Sequence, residues 1–179
     1  MTSSYDQVRI EIGGGRNPRP GYLNIDLVEW PEVQIVLDVE TARLPFDDDS
    51  VDAVYSAHCL EHIDYKKVLR EIVRVCKVGA TVQIVVPHWL SQDAMCQGHK
   101  HTIGINEARR IGREQKSYYF SGCKKRLQIR EFLTKTTPSV HIEEIEKLHP
   151  GVSRETLYRF VPDAAFEISF HFEVVAYDL

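Results

Sequence analysis

Apolar residues first recur along this chain in short runs with strand periodicity. VRIEI (8–12), YLNID (22–26), VQIVLD (33–38) and VDAVYSA (51–57) each read as a short buried strand. The pattern then changes. Tyr65, Val68, Leu69, Ile72, Val73 and Cys76 recur three and four apart, the stripe of an amphipathic helix capped by Asp64 and stopped by Gly79. Lys67 and Glu71 lie four apart on its opposite face. TVQIVVP (81–87) returns to strand and ends on Pro87, and periodicity weakens between His88 and Gly122. That segment reads as an inserted loop and helix. RLQIREFLT (126–134) is a long strand, HIEEIEKL (141–148) a short helix, and FEISFHFEVVAYDL (166–179) an aromatic-rich closing strand. Seven strands result. The first five follow α/β order and the last two pair antiparallel at an edge, so an α/β, Rossmann-like, doubly wound and mostly parallel sheet is expected.

The 179 residues are expected to form a single domain with its own core, with residues 88–122 as a lid over a substrate. The composition is that of a globular protein, and no apolar run approaches a membrane span, so no membrane partner is expected. Met1 to Ile10 lack the basic flank and apolar centre of a signal peptide. Cys59, Cys76, Cys96 and Cys123 form no CxxC pair, which points to a reducing, cytoplasmic setting without structural zinc. The net charge of −4 is unevenly spread. Nine Lys or Arg face two Glu between His99 and Arg130, while the remainder is acidic. Most such runs are solvated faces. The sharper reading is a surface that attracts an anion: a phosphorylated metabolite, a nucleotide sugar or an RNA backbone.

The chemistry concentrates at strand ends. Glu11 and Gly13, Gly14 and Gly15 close the first strand, and Asp26 closes the second. Glycines let a main chain approach a ligand, and carboxylates accept hydrogen bonds from ribose hydroxyls or an amine. EIGGG, Asp26 and then DVETARLPFDDDSVDAVYSAHCLEHI together resemble the class I S-adenosylmethionine-dependent methyltransferases, in particular the type 11 small-molecule branch. LPF-x-D-x-S-x-D followed by H-x-L-E-H carries most of the resemblance, which covers residues 8 to 90.

The resemblance implies roles for individual residues. Glu11 and Gly13 to Gly15 surround the methionine and ribose parts of S-adenosylmethionine. Asp26, followed by Leu27, binds the ribose hydroxyls. Asp38 and Val39 adjoin the adenine, and Ser56, Ala57 and His58 pass the methionine moiety. Two departures stand out. Pro18 occupies the place where a dinucleotide fingerprint requires Gly or Ala, which argues against NAD. Only six residues separate Gly15 from Tyr22, too few for a helical crossover, so the first family helix is expected to be lost. Arg16 is then the candidate charge for the cofactor carboxylate.

Methyl transfer needs an aligned acceptor and, for an oxygen acceptor, a base. His88 is the first candidate base and His101 the second. Trp89, His99, Lys100, Arg109 and Arg113 are the candidate acceptor contacts, and His171 is read as structural. His58, Glu61 and His62 also spell H-x-x-E-H, the inverted signature of zinc peptidases. His58 ends a strand and Asp64 starts the next helix, so both histidines cannot share one helical face. No bound metal is expected on that reading. Expected, then, is methyl transfer to a small-molecule or glycan-type acceptor, at oxygen or nitrogen. The alternatives are an RNA methyltransferase, a non-catalytic cofactor-binding module and a zinc hydrolase. A homodimer that completes the site is a further expectation.

Overall fold

The computed structural model describes residues 7–112, 119–133, 142–160 and 167–177. The strands are β1 (Arg9–Ile12), β2 (Leu23–Asp26), β3 (Ile35–Val36), β4 (Val51–Ala57), β5 (Cys76–Pro87), β6 (Lys125–Leu133) and β7 (Glu167–Ala176). The helices are α1 (Tyr65–Val75), α2 (Ile105–Ile111), α3 (Ile142–Leu148) and α4 (Arg154–Phe160). One sheet holds all seven strands in the order β3-β2-β1-β4-β5-β7-β6. β1 to β5 run parallel, and β7 is antiparallel to both of its neighbours. This is the α/β sheet with an antiparallel edge that the hydrophobic pattern predicts.

Register explains how the sheet finds its core. Ile10, Val54, Val82 and Phe172 share one row across the strands, and Ile12, Ile84 and Phe170 lie in the next row on the same face. These side chains are buried, and α1 and α2 cover them with Leu69, Ala108 and Ile111. The intervening row is Asn24, Glu11, Tyr55, Gln83, His171 and Glu131, all polar or half-polar, on the opposite face. A parallel sheet covered by helices on both faces carries apolar residues on both. Here only one face does.

The polar face matches what is missing from the chain. No helix lies between β1 and β4. The loss expected for the first crossover therefore extends over three. The short β1–β2 loop folds back over the polar row instead. The Arg19 guanidinium lies 4.4 Å over the Tyr55 ring, and its Nη1 donates to Gln83 Oε1 at 3.0 Å. Gln83 Nε2 in turn donates to Ser169 Oγ, which lies 3.0 Å from His171 Nε2. His171 is structural, as the sequence predicts, but through a polar network and not an apolar core.

Some boundaries differ from the pattern. α1 ends at Val75 and β5 begins at Cys76, ahead of Gly79, because Cys76 pairs with Val51 across an irregularity in the β4–β5 ladder. α4 was not legible in the sequence; its buried Leu157 and Tyr158 pack with Ile142 as a small separate cluster. No helix among the described residues is long and apolar enough to cross a membrane.

The LPFDDDS segment is pinned to α1 by charge. Arg74 donates to Glu71, to Asp48 and to the carbonyls of Leu44 and Phe46, while Glu71 Oε2 accepts from Leu44 N at 3.0 Å. The Arg74 side chain is 16% exposed. Arg74→Ala would strand a half-buried Glu71 and two carbonyls, and is expected to lower stability by about 2–3 kcal/mol, since hydrogen bonds to charged groups are worth more than neutral ones. Urea unfolding of the variant against wild type checks this; a loss within experimental error would show the network to be a solvated surface.

Candidate active site

The parallel strands bring the predicted acidic and glycine positions to one edge. Each strand from β1 to β4 ends there, at Ile12, Asp26, Val36 and Ala57. The three glycines are tied to β2 and its end. Gly13 N donates to Ile25 O at 2.8 Å, Gly14 N to Asn24 Oδ1 at 3.1 Å and Gly15 N to Asp26 Oδ2 at 2.9 Å. Gly13 has φ of 79° and Gly15 of 54°, the left-handed region that glycine enters without strain. A Cβ on Gly13 would lie 2.5 Å from Cys59 Cβ, and one on Gly14 would lie 2.5 Å from Asn24 Oδ1. The loop is therefore glycine for close packing as well as for conformation.

The carboxylates are oriented by backbone. Asp26 takes Gly15 N on Oδ2 and Val28 N on Oδ1, and Leu27 beside it is exposed. Asp38 takes Glu40 N at 3.0 Å and the Thr41 hydroxyl at 2.8 Å, which hold its carboxyl below the usual range. A carboxylate offers about four lone-pair positions, so both keep capacity for a ligand hydroxyl or amine. Val39 is half-buried against the core. Glu11 accepts from Arg19 N, and its burial raises its pKa. Ser56 Oγ donates to Ile12 O and is buried, so Ser56 braces β1 against β4. Ala57 closes β4 beside it. Arg16 does not point along the glycine loop: its guanidinium stacks 3.8 Å over the Trp30 ring. Burial pushes the Cys59 thiol up to about 12, which leaves it inert.

His58 takes a φ of 50°, unusual for a residue with a Cβ. Its Nε2 lies 2.8 Å from Glu167 Oε1, and its Nδ1 lies 3.6 Å from Glu61 Oε1. Glu61 and then Glu167 raise its pKa to about 9. His88 behaves in the opposite way. It is fully buried, its Nδ1 accepts from Leu90 N at 3.3 Å and its Nε2 has no partner. Burial lowers its pKa to about 4. A ring shut from solvent whose one lone pair is already taken is not placed to accept a substrate proton. This corrects the first choice of base. Pro87 pairs with Glu167 on β7, and this closure draws the strand end inward where an open edge was expected.

The two histidines predict opposite pH responses. His58 has a folded pKa above its ordinary value, so its stabilisation is complete below pH 6.5 and fades as pH rises through about 9. His88 has a depressed folded pKa, so its share is complete above pH 6.5 and is lost as pH falls towards about 4. The destabilisation caused by His58→Gln is therefore expected to shrink between pH 6.5 and 9. Thermal midpoints of variant and wild type across that range check it; a constant difference would refute the ion pairing.

Beyond β5, a cavity of about 700 Å³ is lined by Trp89, Leu90, Ile105, Glu107, Arg109 and Arg110, with Phe160 of α4. Trp89 and Arg109 were expected there. Arg110 and Phe160 were not, because nothing in the sequence brings α4 to the end of β5. Lys100 instead pairs with Glu40 at 3.1 Å. His99 sits edge-on to His62 with ring centroids 4.5 Å apart, and His101 edge-on to Tyr65 at 5.0 Å. Arg113 lies outside the described residues.

Residues 17–84 match the family described as "Methyltransferase domain". Among curated proteins, ajmaline N-methyltransferase of Rauvolfia serpentina is 42% identical over 59 residues. That match covers 32% of this chain and about a fifth of the relative's length. Among solved structures, a SAM-dependent methyltransferase from Archaeoglobus fulgidus is similar with a TM-score of 0.60 at 14% identity, covering 93% of this chain and 86% of that one. A geranyl diphosphate C-methyltransferase from Streptomyces coelicolor, solved with Mg²⁺, geranyl diphosphate and S-adenosylhomocysteine, gives a TM-score of 0.55 at 12% identity, covering 94% and 73%. At these identities the structural likeness is one of fold.

Proposed function

We propose that the chain is a class I S-adenosylmethionine-dependent methyltransferase and that it moves a methyl group from S-adenosylmethionine to a small anionic acceptor, a reading supported by the sequence match over residues 17–84 and by the fold. The observation that carries this reading is the shared strand-end edge of Gly13–Gly15, Asp26 and Asp38, with a separate cavity in the segment that follows β5. The cofactor brings a sulfonium, an ammonium and two ribose hydroxyls, and it has no phosphate. Oriented carboxylates at strand ends fit that donor set. Asp26 would hold the ribose and Asp38 the adenine amine, with Leu27 and Val39 flanking the ring. The sulfonium is the electrophile when the cofactor is bound. The protein's own work is to align the acceptor and exclude water.

The acceptor belongs in the cavity. Its volume falls within the range of small-molecule sites, and it combines aromatic walls with Arg109 and Arg110, the latter sharing its charge with Glu107 of the same wall at 3.8 Å. Such a lining suits an apolar body carrying a phosphate or carboxylate. The fold relative that holds a prenyl diphosphate is consistent with this chemistry. For an oxygen acceptor, His101 is the residue we assign to take the proton, since it is half-buried and not enclosed like His88. An RNA acceptor is less well supported. Lys100, Arg110, Lys125 and Arg130 of the basic stretch all have carboxylate partners in their own chain.

The test is transfer of labelled methyl from S-adenosylmethionine to a panel of prenyl phosphates, sugar phosphates, aromatic carboxylates and RNA. A small anion is expected to be methylated. Arg109→Gln with Arg110→Gln should raise its KM and flatten its salt dependence, because exposed charges are screened over about 8 Å at 0.15 M salt. Methylation of RNA alone, with a steep salt slope, would overturn the acceptor assignment.

A further inference from the structure

Three residues of two motifs, none of them given a part in methyl transfer, converge in space. H-x-x-E-H ends the β4 region, and GHKH (98–101) lies in the lid segment. Glu61, His62 and His99 each offer one ligand atom, and these atoms lie within 4.8 Å of one another. We propose that Glu61, His62 and His99 form a binding site for a divalent zinc-type cation, independent of the cofactor edge.

Glu61 is the buried member of the cluster. Its residue is 1% exposed, and neither carboxylate oxygen has a hydrogen-bond donor. The nearest charged partner is His58 Nδ1 at 3.6 Å, beyond hydrogen-bonding distance. His58 offsets part of this charge, but it is shared with Glu167 and leaves both Glu61 oxygens without a hydrogen-bond donor, a lack that a metal ion makes good in buried carboxylate sites. The surroundings are built to keep His99 close. Lys100 N and His101 N both donate to the Glu61 carbonyl, at 2.8 and 3.1 Å, and Lys100 Nζ is tied to Glu40. The GHKH loop is thus stitched to the residue whose carboxylate it faces.

His62 is prepared for the role. Its Nδ1 lies 3.2 Å from the Gly98 carbonyl, so Nδ1–H donates there and the lone pair is left on Nε2. This is the orienting contact that metal-bound histidines make through their other nitrogen. Two imidazoles and one carboxylate are the donor set of open zinc sites, which leave a fourth position for water or a substrate group. Tetrahedral ligand atoms around zinc stand about 3.4 Å apart. His62 is exposed and His99 half-buried, so a dense core surrounds neither ring.

This arrangement differs from a zinc peptidase. His58 takes no part: its Nε2 is held by Glu167 from β7, and its backbone leaves the strand at positive φ. The ligands come from two separate segments and not from one helical face. In sequence the histidines group either as H-x-x-E-H or as His88, His99 and His101, and neither grouping joins His99 to Glu61 and His62.

The test uses the full chain stripped with chelator and titrated with Zn²⁺ by calorimetry and with Co²⁺ by absorption. One ion per chain is expected, with d–d bands of a four- or five-coordinate site, and Zn²⁺ should raise the thermal midpoint. His62→Ala and His99→Ala, at positions that are not fully buried, should each weaken binding at least tenfold and abolish the midpoint shift. Glu61→Gln should do the same. If that core variant fails to fold, the two histidine variants decide alone. His149→Ala, on an exposed turn, should bind as wild type does. A wild type that takes up no ion, or uptake that survives His62→Ala and His99→Ala unchanged, would overturn the site. Neither result bears on S-adenosylhomocysteine binding, which is measured separately on metal-free protein.

Discussion

Replacing Gly13 with alanine is expected to destabilise the fold by about 2–5 kcal/mol and to remove cofactor binding. Two costs add. A residue with a Cβ at φ of 79° costs about 1–2 kcal/mol in the left-handed region. The new Cβ also lies 2.5 Å from Cys59 Cβ and 2.6 Å from its Sγ, and forcing extra atoms into packed space costs about 1–3 kcal/mol. Cys59 cannot retreat cheaply because it sits between Ser56–His58 and the turn that carries Glu61. Chemical denaturation checks the stability loss. A double change, Gly13→Ala with Cys59→Gly, should recover the packing part and leave the backbone part. Full stability in Gly13→Ala would mean that the loop is looser than its contacts indicate.

The second large effect is ligand-linked stability. Saturating S-adenosylhomocysteine is expected to add about 2.7–4.1 kcal/mol at 100 to 1,000 times its dissociation constant. For a chain of this size that corresponds to a rise in thermal midpoint of about 5–15 °C. NAD should give no rise, because Pro18 stands where its fingerprint needs a small residue and no helix follows β1 between Gly13 and Leu23. A thermal shift series with the two ligands checks this. Equal shifts would remove the cofactor assignment.

Much of the fold was legible because local pattern and tertiary demand agree. The apolar rows Ile10–Val54–Val82 and Ile12–Ile84 appear in the sequence as period-two alternation. The α1 stripe appears as threes and fours. The glycine and acidic positions were legible too, since each follows a strand directly and parallel strands must end on the same side. The polar row Glu11–Tyr55–Gln83–His171 was equally present in the sequence. It is the physical trace of the missing helices, and the six-residue β1–β2 loop revealed only the first of them.

What stayed hidden depends on long-range register. His88 looked like a residue at an open strand edge. It is buried because Pro87 pairs with Glu167, some 80 residues away in sequence. The same pairing places Glu167 on His58 and turns a candidate cofactor contact into an imidazolium held by two carboxylates. Lys100 looked like a free cation for an acceptor, yet Glu40 meets it across 60 positions. The approach of His99 to Glu61 likewise joins a strand end to a lid segment, and no local spacing encodes it. Charge and ligand partners across such separations are set by topology, so single residues can be nominated from sequence but their pairings cannot.

The central claim is that the edge formed by the glycine loop, Asp26 and Asp38 holds S-adenosylmethionine. Calorimetric titration of the metal-free chain with S-adenosylhomocysteine tests it most directly, run on wild type, Asp26→Ala and Asp38→Ala. The account predicts one site per chain, with affinity reduced at least tenfold by Asp26→Ala through loss of the ribose hydrogen bonds and also weakened by Asp38→Ala. Binding to Asp26→Ala as tight as to wild type would contradict it.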